Sequence, residues 1–286
     1  MPATPTPGAR LRALMDQGTV VAPFVWDGGM AAYAAASGHP AVYMTGFGTA
    51  AQHGLPDIGL LGMGEMLANA RRIAAAVDVP LIADADTGYG NAANVTRTVE
   101  SYEAAGVAAL HMEDQIWPKR CGFMAGKEVI PLEDAVQKVR AACAARGDIV
   151  IIARTDALAP LGWDEVAQRI HAFADAGADL VFVDGLKTRE DIERAAEIAP
   201  DLPRLLNSGL LQADEAQALG YRLVLSLDTI HALFGAIQDV YAELAHTGRI
   251  DVAARNVPDV DEIASVLGVE RYRAAEVAAE QAVVAR

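Results

Sequence analysis

The sequence predicts an α/β fold, a (β/α)8 TIM-type barrel that is followed by extra helices at its carboxyl end. Eight short apolar runs alternate with segments of helical periodicity along most of the 286 residues. Most of these runs are apolar throughout, which is typical of strands buried on both faces of a parallel sheet. The alternative is an open doubly wound sheet, which is disfavoured because no Gly-rich dinucleotide fingerprint follows the first run.

The candidate strands are apolar runs that are too short to be helices, and several are rich in Val, Ile and Leu. Their regular alternation with helical segments is the pattern of βα units, whose strands pair in parallel. The predicted strands cover residues 20–22, 41–44, 79–83, 108–112, 149–153, 179–183, 204–206 and 222–225.

The candidate helices have apolar residues at helical spacing, and several end at a glycine that precedes the next strand. Asn91 is a plausible N-cap for one of them, and Gly106, Gly177 and Gly220 mark three helix ends. The predicted helices of the barrel cover residues 8–17, 27–37, 64–77, 92–105, 131–146, 162–176, 188–198 and 212–219, and two more segments follow at 227–246 and 257–286.

The chain is expected to form one domain over residues 10–286, after a disordered amino-terminal tail over residues 1–9. The tail lacks the apolar stretch of a signal peptide. The helices after the eighth strand are rich in Ala, Val and Leu, and the barrel does not need all of them. Because so much apolar surface cannot be buried on one domain, these helices are expected to pack against another subunit.

Composition excludes several classes of protein. With 52% hydrophobic residues the chain has ample material for a core, which excludes disorder. The formal net charge of −15 disfavours nucleic acid and anionic membrane surfaces as partners. No apolar stretch is long enough to span a bilayer. Two cysteines, Cys121 and Cys143, are too few for a disulfide framework, so a reducing cytoplasm is the expected location.

Polar residues follow the predicted strands at the point where each strand ends, whereas the strand interiors are nearly free of charge. In β/α barrels the chemistry takes place at the carboxyl ends of the strands. The sequence therefore predicts a site at this end of the barrel. Its residues, in strand order from the second to the seventh, are Thr45, then Asp84 and Asp86, then Glu113, then Arg154, then Asp184, and then Asn207.

Three of these residues are carboxylates that would lie close together. Asp84, Asp86 and Glu113 would repel one another without a cation. An all-oxygen ligand set suits a hard ion, so Mg²⁺ is expected, with Mn²⁺ as a possible substitute. The alternative is that Asp84 and Asp86 only cap the helix that follows and bind backbone N–H groups in the Gly-rich turn.

A long loop over residues 115–128 follows the fourth predicted strand, and loops of this length beside a strand end are usually functional. Lys119 and Arg120 precede Cys121, and their charges would favour a thiol that donates protons or acts as a nucleophile. The alternative is a solvent-exposed cysteine without a role. Elsewhere, Trp26 and Phe47 could line the pocket or could serve only in packing.

Four motifs in the same order and register resemble the isocitrate lyase/phosphoenolpyruvate mutase superfamily. The resemblance covers residues from about 10 to about 244. The loop sequence Lys-Arg-Cys-Gly is similar to that of the lyase branch of the superfamily. Gly54-Leu-Pro-Asp57 also resembles the segment that follows the second strand in this superfamily. The four motifs are Asp84-Ala-Asp-Thr-Gly-Tyr-Gly-Asn91, Glu113-Asp-Gln115, Lys119-Arg-Cys-Gly122 and Ala153-Arg-Thr-Asp-Ala157.

The resemblance implies a role for each motif. Asp84, Asp86 and Glu113 would hold Mg²⁺, with Asp57 behind them. Thr45 and the backbone N–H groups of Gly46 and Phe47 would bind the carboxylate of an α-keto or α-hydroxy acid, and Arg154 would stabilise its charge. The loop with Lys119, Arg120 and Cys121 would close over the site, with the thiol as the acid. Members of the superfamily are usually homotetramers that exchange a carboxyl-terminal helix between subunits.

The implied activity is Mg²⁺-dependent cleavage of a substituted malate-type 2-hydroxy acid into a 2-keto acid and a carboxylic acid. Two other interpretations stay open: oxaloacetate decarboxylation or hydrolysis or phosphonate C–P chemistry at the same site, and a barrel without catalytic activity. Three positions depart from the lyase pattern. Phe123 in place of His removes an ionisable neighbour of Cys121. Asp184 in place of Glu, and a loop after Asn207 that lacks the usual Glu, predict a distal group that is smaller, less carboxylate-rich or more apolar, and disfavour isocitrate and methylisocitrate.

Overall fold

The strands form a closed parallel barrel, as the sequence predicts. The computed structural model describes residues 5–122 and 124–284. Its strands pair in chain order, and the eighth pairs with the first, which excludes an open sheet. The strands are Val20–Val25 (β1), Val42–Met44 (β2), Leu81–Asp84 (β3), Ala109–Glu113 (β4), Val150–Thr155 (β5), Leu180–Val183 (β6), Arg204–Asn207 (β7) and Tyr221–Ser226 (β8).

Helices connect successive strands around the outside of the barrel, and every helix predicted from the sequence has a counterpart. The predicted cap at Asn91 is present, since its side chain accepts hydrogen bonds from the first turn of the helix that follows. The helices are Pro7–Gln17 (α1), Gly28–Ala36 (α2), Gly46–Gln52 (α3), Met63–Ala76 (α4), Ala92–Ala104 (α5), Leu132–Ala145 (α6), Leu158–Leu161 (α7), Trp163–Asp175 (α8), Arg189–Ile198 (α9), Ala213–Ala218 (α10), Asp228–Thr247 (α11), Val260–Val266 (α12) and Val269–Val284 (α13).

The structure differs from the prediction in three places. The helix α1 begins at Pro7, inside the segment expected to be a disordered tail, because Thr6 caps its first turn; residues 1–4 lie outside the described residues. The short helix α3 directly follows β2 and was not predicted, because its two glycines suggest a loop. The four-residue helix α7 was not predicted either.

Alternate residues of each strand face opposite sides of the barrel wall. Along β5, Val150 and Ile152 belong to the cluster inside the barrel, whereas Ile151 and Ala153 pack against the surrounding helices. Because the period is two, Arg154 continues the inward series of Val150 and Ile152. The same alternation holds in five other strands, so the polar residue at or just after the end of each one faces the barrel mouth. These residues are Thr45, Asp84, Glu113, Asp184 and Asn207.

The carboxyl-terminal helices leave much apolar surface exposed. In α11 the one buried residue is Ile230. Phe234, Ile237, Tyr241 and Leu244 recur at helical spacing along α11 and are between 37% and 67% exposed. Phe234 contacts the rings of Trp26 and Phe47, and Ile237, Tyr241 and Leu244 form an exposed apolar face farther along α11. None of the described helices is both long and apolar enough to cross a membrane.

Candidate active site

A cavity of about 220 Å³ lies at the carboxyl ends of the strands, under the loop that connects β4 to α6. A larger cavity of about 790 Å³ lies outside the barrel, beside the first turns of α5 and α6. The smaller cavity is the candidate active site because most of the predicted polar residues at the strand ends line it. Its lining is Phe24, Tyr43, Thr45, Phe47, Asp57, Asp84, Lys119, Cys121, Gly122, Met124, Arg154, Asp184, Asn207, Leu227, Ile230 and His231.

The Gly-rich turn after β3 fixes Asp84 and Asp86 with backbone hydrogen bonds. Asp84 accepts one from the N–H of Asp86 at 2.9 Å and another from the N–H of Gly46 at 3.1 Å. Gly46 approaches so closely that a Cβ there would lie 2.6 Å from the Asp84 carboxylate. Asp86 adopts a left-handed backbone, which short polar residues tolerate better than most. The helix α5 is capped by Asn91, so capping of α5 does not explain either carboxylate.

Lys119 ties the loop to two of the predicted acidic residues. Its ammonium lies 2.6 Å from Asp57 and 2.8 Å from Asp86, and all three side chains are buried. The backbone N–H of Cys121 also donates to the carbonyl of Asp57 at 3.1 Å. Burial raises the pKa of Asp86 to about 6, although the Lys119 charge opposes this shift. Lys119 therefore serves as a counter-ion inside the site.

Arg154 lies at the centre of a second group of charges. Its guanidinium forms a paired contact with Asp156 at 2.8 and 2.9 Å, and reaches Asp184 at 3.1 Å and Glu113 at 3.2 Å. The other oxygen of Glu113, Oε1, is buried without a hydrogen-bond partner. Burial raises the pKa of Glu113 well above its usual value, with Arg154 opposing the shift. Glu113 thus holds an oxygen that nothing in the described residues satisfies.

Two charged residues of this group have no assigned role in the sequence-based prediction. Asp156 is named there only as part of the motif over residues 153–157, and Lys127 is not singled out. Burial disfavours the charge of Asp156, but Arg154 and Lys127 outweigh it and hold the pKa of Asp156 well below its usual value. Asp156 could have been found, because it stands two residues after Arg154 and so shares its face of the strand end. Lys127 carries no such signal, since it lies within a loop of irregular structure.

Inside the barrel below Asp84, Tyr43 and His111 form a buried pair. The Tyr43 hydroxyl lies 2.8 Å from His111 Nε2, and that nitrogen is 3.8 Å from Asp84 Oδ1. Burial lowers the pKa of His111 to about 4, so the imidazole is neutral at pH 7. His111 has no role in the sequence-based prediction, and the structure places it against Tyr43, which lines the cavity.

The start of α3 forms the wall opposite the loop. Thr45 caps α3 and is buried, and Phe47 projects into the cavity lining. The N–H of Gly46 donates to Asp84, so this N–H is already engaged and differs from the substrate-binding role that the resemblance implies. Thr45 and Phe47 remain the parts of this segment that face the cavity.

Five of the predicted residues do not line the cavity. Gly46, Asp86 and Glu113 lie directly behind it, in contact with Asp84, Lys119 and Arg154 respectively, whereas Arg120 and Trp26 point elsewhere. Arg120 is exposed, and its guanidinium donates to the carbonyl of Ala125 at 3.2 Å, because Gln115 binds the Arg120 backbone and turns the side chain outward. Trp26 stacks on Phe234 of α11, with ring centres 5.2 Å apart, and is not part of the lining. Phe123, which replaces the family's His, lies outside the described residues.

The charges of the site are unbalanced in a way that suits a cation. Six buried carboxylates surround three buried cations: Asp57, Asp84, Asp86, Glu113, Asp156 and Asp184 against Lys119, Lys127 and Arg154. Among the described residues, no three acidic, His or Cys side chains are arranged as a ready metal cluster, since Lys119 lies between Asp57 and Asp86. The oxygen donors and the unsatisfied Glu113 oxygen nevertheless have the chemistry that a hard divalent ion requires.

Comparison with known families identifies the chain. The family model described as phosphoenolpyruvate phosphomutase matches residues 11–247, which include every strand of the barrel. The chain belongs to the phosphoenolpyruvate mutase/isocitrate lyase superfamily. The superfamily predicted from the four motifs is therefore confirmed.

Relatives in this superfamily are similar over most of their length. The chain is 40% identical to 2,3-dimethylmalate lyase of Eubacterium barkeri over 278 residues, which is 94% of this chain and 96% of the relative. It is 37% identical to 2-methylisocitrate lyase of Aeropyrum pernix over 249 residues, 85% of this chain and 81% of the relative. These relatives are lyases, and the chain is a carbon–carbon lyase of the superfamily.

Solved structures of the superfamily superpose closely on this one. A crystal structure of 2,3-dimethylmalate lyase has a TM-score of 0.89 at 35% identity and covers 97% of this chain and 96% of its own. Oxaloacetate acetylhydrolase in complex with 3,3-difluorooxalacetate gives 0.89 at 35% identity, with 96% and 97% covered. Phosphonopyruvate hydrolase in complex with oxalate and Mg²⁺ gives 0.86 at 35% identity, with 96% and 99% covered.

Proposed function

We propose that this superfamily member is a Mg²⁺-dependent lyase that cleaves a substituted malate-type 2-hydroxy acid into a 2-keto acid and a carboxylic acid. The observation that carries the proposal is the cavity under the loop, where Cys121 and Arg154 line the same space as Asp84. An acid, a cation and a set of oxygen ligands are the groups that this reaction requires. The similarity to 2,3-dimethylmalate lyase supports the same substrate class.

Asp84, Asp86 and Glu113 are the residues that would hold the metal, with Asp57 behind them beside Lys119. The unsatisfied Oε1 of Glu113 and the excess of buried carboxylates fit a divalent cation. The related phosphonopyruvate hydrolase structure contains Mg²⁺. When bound, such an ion supplies Lewis-acid stabilisation of negative charge on the substrate oxygens.

The residues of this chain would then act on the two ends of the scissile bond. Arg154 binds the substrate carboxylate, and Thr45 orients it from the start of α3. One of the carboxylates that line the cavity takes the proton of the 2-hydroxyl. The C2–O bond then becomes the carbonyl of the 2-keto acid, the C2–C3 bond breaks, and its electron pair stays on C3 as a carboxylate enolate. Cys121 delivers the thiol proton to C3 from the loop side of the cavity. The closed loop keeps water away from the enolate.

The far end of the cavity is mostly apolar, which supports an alkyl-substituted acid. Leu227 and Ile230 contribute from the start of α11, and Met124 and Phe47 contribute from the loop and from α3. Asn207 Oδ1, buried without a hydrogen-bond partner among the described residues, and His231 of α11 are the polar groups beside them. A second carboxylate would find no Lys or Arg beside these residues, so alkyl groups are favoured over the longer tricarboxylates.

The second candidate is hydrolysis of oxaloacetate, which the equally close similarity to oxaloacetate acetylhydrolase favours. The two candidates differ in their products. We would incubate the enzyme with Mg²⁺ and follow malate, 2-methylmalate, 2,3-dimethylmalate, methylisocitrate, oxaloacetate and phosphonopyruvate by proton NMR. A keto acid that appears together with a carboxylic acid supports the lyase. Consumption of oxaloacetate or phosphonopyruvate alone contradicts it.

Metal binding should weaken in mild acid. The pKa of Asp86 is raised to about 6 by burial, and a carboxyl must lose its proton before it can hold a cation. The apparent Mg²⁺ affinity should therefore fall as the pH is lowered through about 6, by about tenfold for each pH unit below that value. Isothermal titration with MgCl2 from pH 5 to 8 measures this. A flat profile would contradict the assignment of Asp86, and Asp86→Asn, which cannot titrate, is the matched control.

We also propose that the chain is a homotetramer whose α11–α13 helices pack on a neighbouring subunit. The exposed apolar face of Ile237, Tyr241 and Leu244 on α11 supports this arrangement. The double substitution Ile237→Glu/Leu244→Glu should reduce the mass measured by light scattering from four chains to two or one. Asp239→Lys, also on α11 but on its opposite face, should leave the mass unchanged. A monomeric wild-type protein would refute the proposal.

A further inference from the structure

Lys127 lies in the loop between β4 and α6, and its ammonium has a full set of acceptors. It lies 2.7 Å from Asp156 and 3.3 Å from Asp184, both at strand ends of the barrel. It also donates to the carbonyl of Gly122 at 2.8 Å, directly after Cys121 in the chain. The side chain is 3% exposed. One lysine thus joins the loop backbone beside the thiol to the ends of β5 and β6.

The loop rests tightly on these strand ends at the same place. A Cβ on Gly122 would lie 2.7 Å from Arg154 Nη2 and closer still to the Asp184 carboxylate. Only a glycine backbone can therefore come this near to the charged group. The position of Gly122, and with it that of Cys121, depends on what holds the loop down against Asp184.

Charge gives the second reason for the contact. Of the three buried cations at the site, Arg154 belongs to a strand, and Lys119 and Lys127 both come from the loop. Without the loop, only one cation would face the six buried carboxylates. Their excess negative charge would repel an anionic substrate. Closure of the loop therefore brings the positive charge that makes the cavity acceptable to a carboxylic acid.

We propose that Lys127 is the positioning residue that holds the loop of residues 115–128 closed and places Cys121 over the cavity. Its ammonium bridges the Gly122 carbonyl to Asp156 and Asp184, and it does not touch the reacting atoms. Because the same ammonium neutralises Asp184, loop closure and binding of the substrate anion favour each other. The kinetic part of this inference rests on the proposed function, but the structural part does not.

The test measures loop protection without any substrate. Limited trypsin digestion is followed at the bond after Arg120, an exposed loop residue, by intact mass in the presence of MgCl2. Lys127→Met keeps the aliphatic stem and removes the charge, so its cleavage should be at least about tenfold faster than that of the wild type. Lys127→Arg should restore most of the protection. Lys187→Met removes an exposed lysine outside the loop and should match the wild type.

The kinetic readout distinguishes positioning from a general loss of structure. With the substrate identified by the NMR panel, Lys127→Met should raise KM about tenfold and lower kcat, whereas Mg²⁺ affinity should change little. Wild-type cleavage rates in Lys127→Met would overturn the proposal. If the wild-type enzyme turns over none of the panel acids, the proposed function fails, and the digestion alone still decides the role of Lys127.

A second variant covers the case in which Lys127→Met does not fold, because its buried carboxylates have lost a counter-ion. Lys127→Met/Asp184→Asn removes a positive and a negative charge together and should recover the Tm. The contacts of Lys127 with the Gly122 carbonyl and Asp156 are absent in this double variant, so cleavage after Arg120 should stay fast. Full protection in the double variant would refute the proposal.

Discussion

Cys121→Ser is expected to reduce turnover by a factor of about 10²–10⁴, the range that general acid catalysis contributes. The thiol lines the cavity, and a serine hydroxyl is a much weaker acid than a thiol. The substitution keeps the size of the side chain, and the backbone of residue 121 keeps its bonds to Asp57 and Met124. Steady-state kinetics on the acid identified by NMR, together with titration of MgCl2, measures the effect.

Two controls distinguish the loss of the proton donor from a change in the position of the loop. Cys143→Ser changes a half-buried thiol on α6 and should leave turnover unchanged. Cys121→Ser should also keep the trypsin resistance of the loop, because Lys127 and Lys119 still hold it. Near-normal turnover in Cys121→Ser would exclude the thiol as the proton donor, and a lost trypsin resistance would assign the defect to loop position.

Asp84→Ala is expected to abolish both activity and Mg²⁺ binding. The carboxylate is a predicted ligand and also accepts the N–H groups of Gly46 and Asp86. Its removal leaves two buried donors without their acceptor, at a cost of about 1–3 kcal/mol each in the free energy of unfolding. Turnover in a chelator, Mg²⁺ titration and thermal unfolding together measure the result.

Asp84→Asn distinguishes the effect on Mg²⁺ affinity from the effect on the stability of the fold. The amide keeps one acceptor oxygen, so most of the stability should return, while Mg²⁺ affinity stays at least about 100-fold below that of the wild type, since a neutral ligand replaces an anionic one. Asp78→Asn, an exposed site near the opposite end of β3, is the matched control. Wild-type Mg²⁺ affinity in Asp84→Asn would show that Asp84 is not a ligand.

The fold was predictable because its signals are local. Each apolar run is a strand, and Gly106, Gly177 and Gly220 adopt the left-handed backbone that ends a helix. The helix α3 escaped prediction because its cap at Thr45 depends on the turn that follows β2, not on a run of helix formers. Helix α1 was placed one residue late, because Thr6 caps it just before a proline.

The site was predictable only in part. Residues at strand ends could be listed from the order of the strands, and the structure brings Asp84, Arg154, Asp184 and Asn207 to one cavity. Loop residues could not be placed in this way. Arg120 and Lys127 both lie in the same loop, yet the structure turns Arg120 to solvent and buries Lys127 among carboxylates. The sequence around them contains no periodicity that would distinguish the two.

By itself, the sequence determined the barrel, the order of its strands and the end at which the chemistry takes place, because these depend on short-range patterns of apolar residues and turns. The tertiary structure decided which polar side chains enter the barrel. Because both faces of each strand are apolar, the sequence does not show which alternate residues face inward. Closure of the barrel decides this and places Glu113 and Arg154 at its mouth. The tertiary structure also decided which charged side chains pair with each other, since the ion pair between Lys127 and Asp184 joins residues 57 positions apart in the chain.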